Sequence, residues 1–179
     1  MTEMSTGGND LQQKKYYGRY KGVVRSNFDP LDQGRLLVAV PEVLGNDPCI
    51  WASPSTPLST LGGGGAYMRA LEGAGVLVEF LDGNLDYPMW TGFWRGTFAD
   101  TPAAVKTANP KASVIVLATS AKNSLVIDDT PGVGGITLKV GASEISVTEQ
   151  GIKLRCGGSS IELLPTGQVS VNGPALTVL

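Results

Sequence analysis

The sequence predicts an all-β chain in two parts, a small N-terminal barrel followed by a ladder of very short strands. Three observations carry this: alternating apolar segments recur almost to the C-terminus, glycine and proline punctuate them (24 Gly and 11 Pro in 179 residues), and aromatics make up only 7% of the chain. The ladder is the clearest part. From Ser113 to Leu179 it reads VIVLA, SLVID, GITLKV, SEISV, GIKLRC, SSIELL, GQVSV and ALTVL, with Val, Ile or Leu at every second position. Such alternation marks a strand with one buried and one wet face. The leading positions Ile136, Ile145, Ile152, Ile161 and Val169 are seven to nine residues apart, a spacing filled by a strand of about five residues and a tight turn.

The ladder is poorly equipped to bury its own apolar face. No Phe, Tyr or Trp follows Phe98, so a sandwich core would have to be built from small branched side chains alone. Wrapping identical chains around a common axis lets each layer meet its symmetry mates. A trimeric β-helix or β-prism is expected. Its core is assigned to Ile136, Leu138, Ile145, Val147, Ile152, Leu154, Ile161, Leu163, Val169 and Val171.

Ahead of the ladder, residues 1–13 are polar and aperiodic and are expected to form a mobile arm. Strand patterns follow in YYGRYKGVVRSN, RLLVAVPEV, CIWASP, AYMRAL, GVLVEFLDG and MWTGFWRG. The turns FDPLDQG and LGNDP and a loop from Pro54 to Gly65 separate the first four. About five strands in about 80 residues suit a Greek-key barrel of the OB type, assigned to residues 14–100. The proline-containing stretch 101–111 is expected to be a linker, and 112–179 the shaft. In DDTPG, Pro131 and Gly132 are placed as the central pair of a type II turn.

Composition narrows the chemistry. The chain has no histidine, which removes Ser-His-Asp and Cys-His nucleophile systems and imidazole-bound zinc. Cys49 and Cys156 form no metal-binding spacing and are expected to be buried thiols. The glycines from Gly62 to Gly65 lack the following Lys-Ser or Lys-Thr of a phosphate loop. Asp128 with Asp129, and Asp82 with Asp86, sit in Gly- or Pro-rich turns where aspartate serves the backbone. No catalytic, cofactor or metal residue is assigned, and no enzyme activity is expected. The net charge of −2 weighs against a dedicated nucleic-acid binder. The N-terminus lacks the pattern of a secretory signal and no apolar run reaches a membrane span, so synthesis in the cytoplasm without a signal peptide is expected.

Lys14, Arg19, Lys21 and Arg25 are interleaved with Tyr16, Tyr17 and Tyr20. Strand parity gathers Arg19, Lys21 and Arg25 on one face, shared with Tyr17 and Val23. This face is read as a docking surface, as a plain solvated face or, less in keeping with the charge, as a single-strand-binding face. Trp51, Trp90, Phe93 and Trp94 are expected in the core or between subunits.

The segments YYGRYKGVVRSNFDPLDQGRLLVAVPEV, GVLVEFLDGNLDYPMWTGFW and SLVIDDTPG followed by GITL, in that order, resemble the central spike proteins of contractile injection machines. These are the phage baseplate assembly protein V and the valine-glycine repeat spike of type VI secretion. Phe80, Gly83, Pro88 and Gly92 match the family's strand-turn-strand pattern. The resemblance implies a homotrimer at a phage or injection-particle baseplate, docked on tail hub proteins, with a needle pushed through a target envelope. Eight strands at about 4.8 Å would give a shaft of about 40 Å. Relatives with a lysozyme or effector domain, or with an apex iron held by histidines, differ from this chain. Its apex is expected to be blunt, formed by Asn172, Pro174, Leu176 and Leu179, and to take a separate tip protein of the proline-alanine-alanine-arginine kind. The alternative is an OB-fold protein that binds single-stranded nucleic acid or carbohydrate.

Overall fold

In a computed structural model, residues 14–45, 48–59 and 63–178 are described. The chain divides into two compact units, with the boundary between Gly96 and Thr97. Each is all-β apart from short helical turns.

The first unit is a closed five-stranded barrel. Its strands are β1 (Arg19–Ser26), β2 (Leu36–Ala39), β3 (Cys49–Pro54), β4 (Gly75–Phe80) and β5 (Pro88–Phe93), in the order β1-β2-β3-β5-β4 with β4 closing antiparallel onto β1. The β3–β5 pair alone is parallel, which is how a chain with a long β3–β4 connection returns to complete an OB-type barrel. Alternation selects the core: Val76, Val78 and Phe80 of β4 point inward, against Val24, Leu36, Val38, Val40 and Trp90. Burying each such side chain contributes about 1.5–3 kcal/mol relative to leaving it in water.

The barrel differs from the sequence expectation in four places. AYMRAL forms no strand; only Ala70 in it is buried, while Tyr67, Met68 and Leu71 face solvent. Its backbone instead caps neighbours, the Ala70 carbonyl accepting a hydrogen bond from Asn27 Nδ2 at 2.8 Å. Pro41 opens a single helical turn, α1 (Pro41–Leu44), because its fixed φ suits the first helical position. Of the four aromatics expected in the core or between subunits, Trp90 is buried in the barrel, Trp51 and Trp94 are half-buried and Phe93 is exposed in the single chain. Valines make up most of the rest of the barrel interior around Trp90 and Phe80. Cys49 is likewise exposed rather than buried.

The β1–β2 connection is organised by one buried carboxylate. Asp29 accepts the backbone N–H groups of Leu31, Gln33 and Arg35 and two bonds from the Arg35 guanidinium, at 2.7–3.0 Å. The Arg35 guanidinium, then the backbone donors, hold its pKa far below the usual carboxylate range, outweighing the opposite effect of burial.

The second unit is an eight-stranded antiparallel meander. Its strands are β6 (Val114–Ser120), β7 (Asn123–Asp128), β8 (Gly135–Val140), β9 (Ser143–Thr148), β10 (Gly151–Cys156), β11 (Ser159–Leu163), β12 (Val169–Val171) and β13 (Leu176–Val178). Each pairs with its neighbours in sequence. The turn into β8 forms as expected: Gly132 has φ +76°, and Val133 N–H reaches the Thr130 carbonyl at 3.4 Å. Asp128 ties this turn by accepting the Thr130 hydroxyl at 2.6 Å and its N–H at 2.8 Å, which lowers its pKa. The stretch 101–111, expected as a plain linker, carries a short helix, α2 (Ala103–Thr107). Ala103 and Ala104 share a cavity of about 330 Å³ with Val116 and Ala118, so this segment lies over one face of β6.

Candidate assembly interface

The meander sorts its side chains by face with little mixing. Residues directly opposite one another in an antiparallel pair lie on the same face, as do residues i and i+2 along a strand. One row therefore runs across the sheet through Leu117, Leu125, Leu138, Ile145, Leu154, Ile161 and Val171. A second, two residues along each strand, runs through Ile115, Ile127, Ile136, Val147, Ile152, Leu163 and Val169. The opposite face carries Val116 and Val126 across β6 and β7, and from β8 to β12 it carries Thr137, Lys139, Glu144, Ser146, Lys153, Arg155, Glu162 and Ser170. There the register alternates charge, Lys139 facing Glu144 and Glu144 facing Arg155, and Lys153 forms an ion pair with Glu162. From β8 onward one face is built for water and the other is not.

All ten residues assigned to the shaft core lie in the two apolar rows. Eight of them, from Ile136 to Leu163, are 39–47% exposed in the single chain, and Val169 and Val171 are half-buried. An unbroken apolar surface of this kind exceeds the scattered exposed residues of an ordinary monomer. The rows also extend further than the assignment. Ile115 and Leu117 of β6 are 58% and 60% exposed, and Leu125 and Ile127 continue the rows through β7. The alternation in SLVID was a usable signal for the latter pair.

Cys156 is exposed in the single chain and stands on the apolar face, with the Ser143 hydroxyl donating to its sulfur at 3.4 Å. Close backbone packing fixes where β8 and β10 begin. Gly135 and Gly151 both lie in register with Thr148, at φ +152° and +139°. A Cβ at either would come within 2.2 Å of a carbonyl oxygen, that of Val147 or Leu163.

The residues assigned to hub docking are in the barrel. Arg19, Lys21 and Arg25 project from the exposed face of β1. Arg19 Nε is 2.6 Å from Glu79 Oε1, Lys21 lies 5.0 Å over the Trp94 ring and Lys14 5.0 Å over that of Tyr16. At the far end of the meander, Asn172 adopts a left-handed conformation at φ 51°. It closes a two-bond bridge with Ser160, donating N–H to the Ser160 carbonyl at 2.8 Å and accepting the Ser160 N–H on Oδ1 at 2.9 Å. Pro174 lies in the turn Gly173–Ala175, Leu176 is exposed in β13, and Leu179 falls outside the described residues. Among the described residues no group of three or more His, Cys, Asp or Glu gathers as metal ligands, and no helix is long and apolar enough to cross a membrane.

A closed OB-type barrel joined to a meander with one water-facing and one uncovered apolar face defines a modular assembly protein. Comparison with protein families gives the particular class. Residues 20–94 match the type VI secretion system/phage-baseplate injector OB domain. Residues 114–177 match the phage baseplate V C-terminal trimerisation domain. Between them the two matches span most of the chain, which belongs to the phage-baseplate V and type VI spike family. No individual curated protein matches it.

Proposed function

We propose that three copies of this chain form the central spike of a contractile tail or injection-system baseplate, linking the tube hub to the tip and piercing the target envelope. A baseplate spike role follows from the family; the linking and piercing steps are the reading advanced here. The observation that carries it is the apolar face of the meander, two rows of Val, Ile and Leu left open in a single chain within a matched trimerisation domain. Covered by two further copies, those rows become the interior of a shaft. The alternating charges of the opposite face keep its exterior soluble.

Mechanically, the arrangement suits axial load. Strands stacked along an axis put a ladder of backbone hydrogen bonds in series with the thrust, and within each sheet only the end strands β6 and β13 present an open edge. The proposed organisation is the barrel at 14–100, a connection at 101–111 and the shaft at 112–179; residues 1–13, expected as an arm, lie outside the described residues. The barrel's Lys14, Arg19, Lys21 and Arg25 would face the hub. Asn172, Pro174, Leu176 and Leu179 would seat a separate tip protein. The role is structural, with no catalytic step assigned to any residue.

Imaging tests this reading. In assembled particles carrying a label at the C-terminus of this chain, the label should lie on the tail axis at the distal side of the baseplate. A label on the tube exterior, or absent from particles, would contradict it.

A further inference from the structure

The apolar face has a third row, and it is unlike the other two. Two residues beyond Leu138, Ile145, Leu154 and Ile161, the register places Val140, Ser143, Cys156 and Ser159 across from one another. Apart from Val140 these are small and polar. The face therefore has a bulky central row, one bulky margin containing Ile152 and Leu163, and one small margin containing Cys156 and Ser159. The small margin is hollow: a groove of about 520 Å³ runs between it and the central row, bordered by Ser143, Cys156 and Ser159 on one side and Leu154 and Ile161 on the other. Its polarity is partly satisfied within the chain by the Ser143–Cys156 hydrogen bond.

We propose that the bulky margin of one chain seats in the groove along the small margin of the next, so that the trimer closes head to tail through unlike edges. This rests on the three-copy reading above. Symmetry supplies the first step of the argument. Three sheets around a three-fold axis cannot join like margin to like margin; rotation carries each left edge to its neighbour's right edge. Packing supplies the second, because interiors are filled to crystal-like density and neither a groove of this volume nor a row of exposed Ile, Val and Leu is stable alone. Volume complementarity supplies the third: a bulky row next to a row of Ser and Cys fits, where two bulky rows at one corner would clash. The central row, Leu154 and Ile161 included, is then the row nearest the axis. Cys156 lies near Ile152 of the neighbouring copy, both being on β10 and so at about the same height.

Cross-linking of the full chain tests the seating. In C49S/I152C, which keeps Cys156, a short bis-maleimide should convert most of the protein into covalent dimer and ring-closed trimer on a denaturing gel. C49S alone and C49S/C156S/I152C should run as monomer. A second pair on β11, C49S/C156S/S159C/L163C, should behave like the first, and guards against a local failure at Ile152. Light scattering on the untreated samples separates the two readings. A three-chain mass with no cross-link in either pair, or with Cys156 linking to itself in C49S, overturns the unlike-edge seating and leaves the trimer standing. A single-chain mass in the C49S protein overturns the trimer and the seating together.

Discussion

Leu154 stands directly opposite Ile161 across the β10–β11 pair, and both side chains lie on the face of the meander that a single chain leaves open. Ile145 completes a line of three on the other side of Leu154. A charge placed in this line meets its symmetry copies in any assembly that closes over the face.

Ile161→Asp is therefore expected to abolish or dissociate the assembly. Lost apolar burial alone costs about 1.5–3 kcal/mol per chain, and repulsion among the carboxylates adds to it. Gel filtration of the variant should show a smaller species, and heat resistance equal to the parent would place Ile161 outside the interface. Glu162→Gln, one residue away on the wet face, is the matched control and should leave assembly unchanged.

Gly151→Ala tests the close approach of β10 to β11. With φ at +139° and a Cβ 2.2 Å from the Leu163 carbonyl oxygen, the added methyl forces the backbone apart. Destabilisation of at least about 1 kcal/mol is expected, visible as a lower thermal midpoint. Ala at Gly157, whose Cβ would point into open space but at φ +58°, should cost less because only backbone conformation is strained.

Asp29 links barrel stability to pH. Folding favours its ionised form, so its contribution is complete above the unfolded carboxylate value of about 3.9 and is lost as pH falls below that through the lower folded value. Asp29→Asn should lower the thermal midpoint at neutral pH and narrow its gap to the parent as the solution is acidified. A gap independent of pH between neutrality and about pH 2 would show that the carboxylate charge is not what holds the loop.

Arg19 separates docking from stability. Its pair with Glu79 is solvent-exposed, the Arg19 side chain being 65% accessible, and such pairs contribute about 0–1 kcal/mol. Arg19→Ala should melt like the parent yet capture less hub protein in pull-downs at low salt. Undiminished capture by Arg19→Ala and Lys21→Ala together would move the hub surface elsewhere.

Much of this was legible in the residues. Period-two alternation located β8 to β11 and gave the facing of Ile136 to Leu163, because each of these strands carries its large apolar side chains on one parity only. It failed at β6, where Val114, Ile115, Val116 and Leu117 are apolar on both parities. One parity there joins the apolar rows and the other shares a cavity with α2, a helix of five residues too short to show a period. AYMRAL misled because only Ala70 of its apolar residues is buried, and its backbone serves Asn27 rather than a ladder. The small margin of Ser143, Cys156 and Ser159 was invisible for a different reason: its meaning lies in the cross-strand register, which sets residues thirteen and three apart side by side.

The central claim is that the apolar face is closed by two further copies of the same chain, and sedimentation equilibrium of the full chain tests it most directly. One chain has a mass of 18.7 kDa. A single species at three times that mass, unchanged across a wide range of protein concentration, is the predicted result. A species at the mass of one chain would contradict the account.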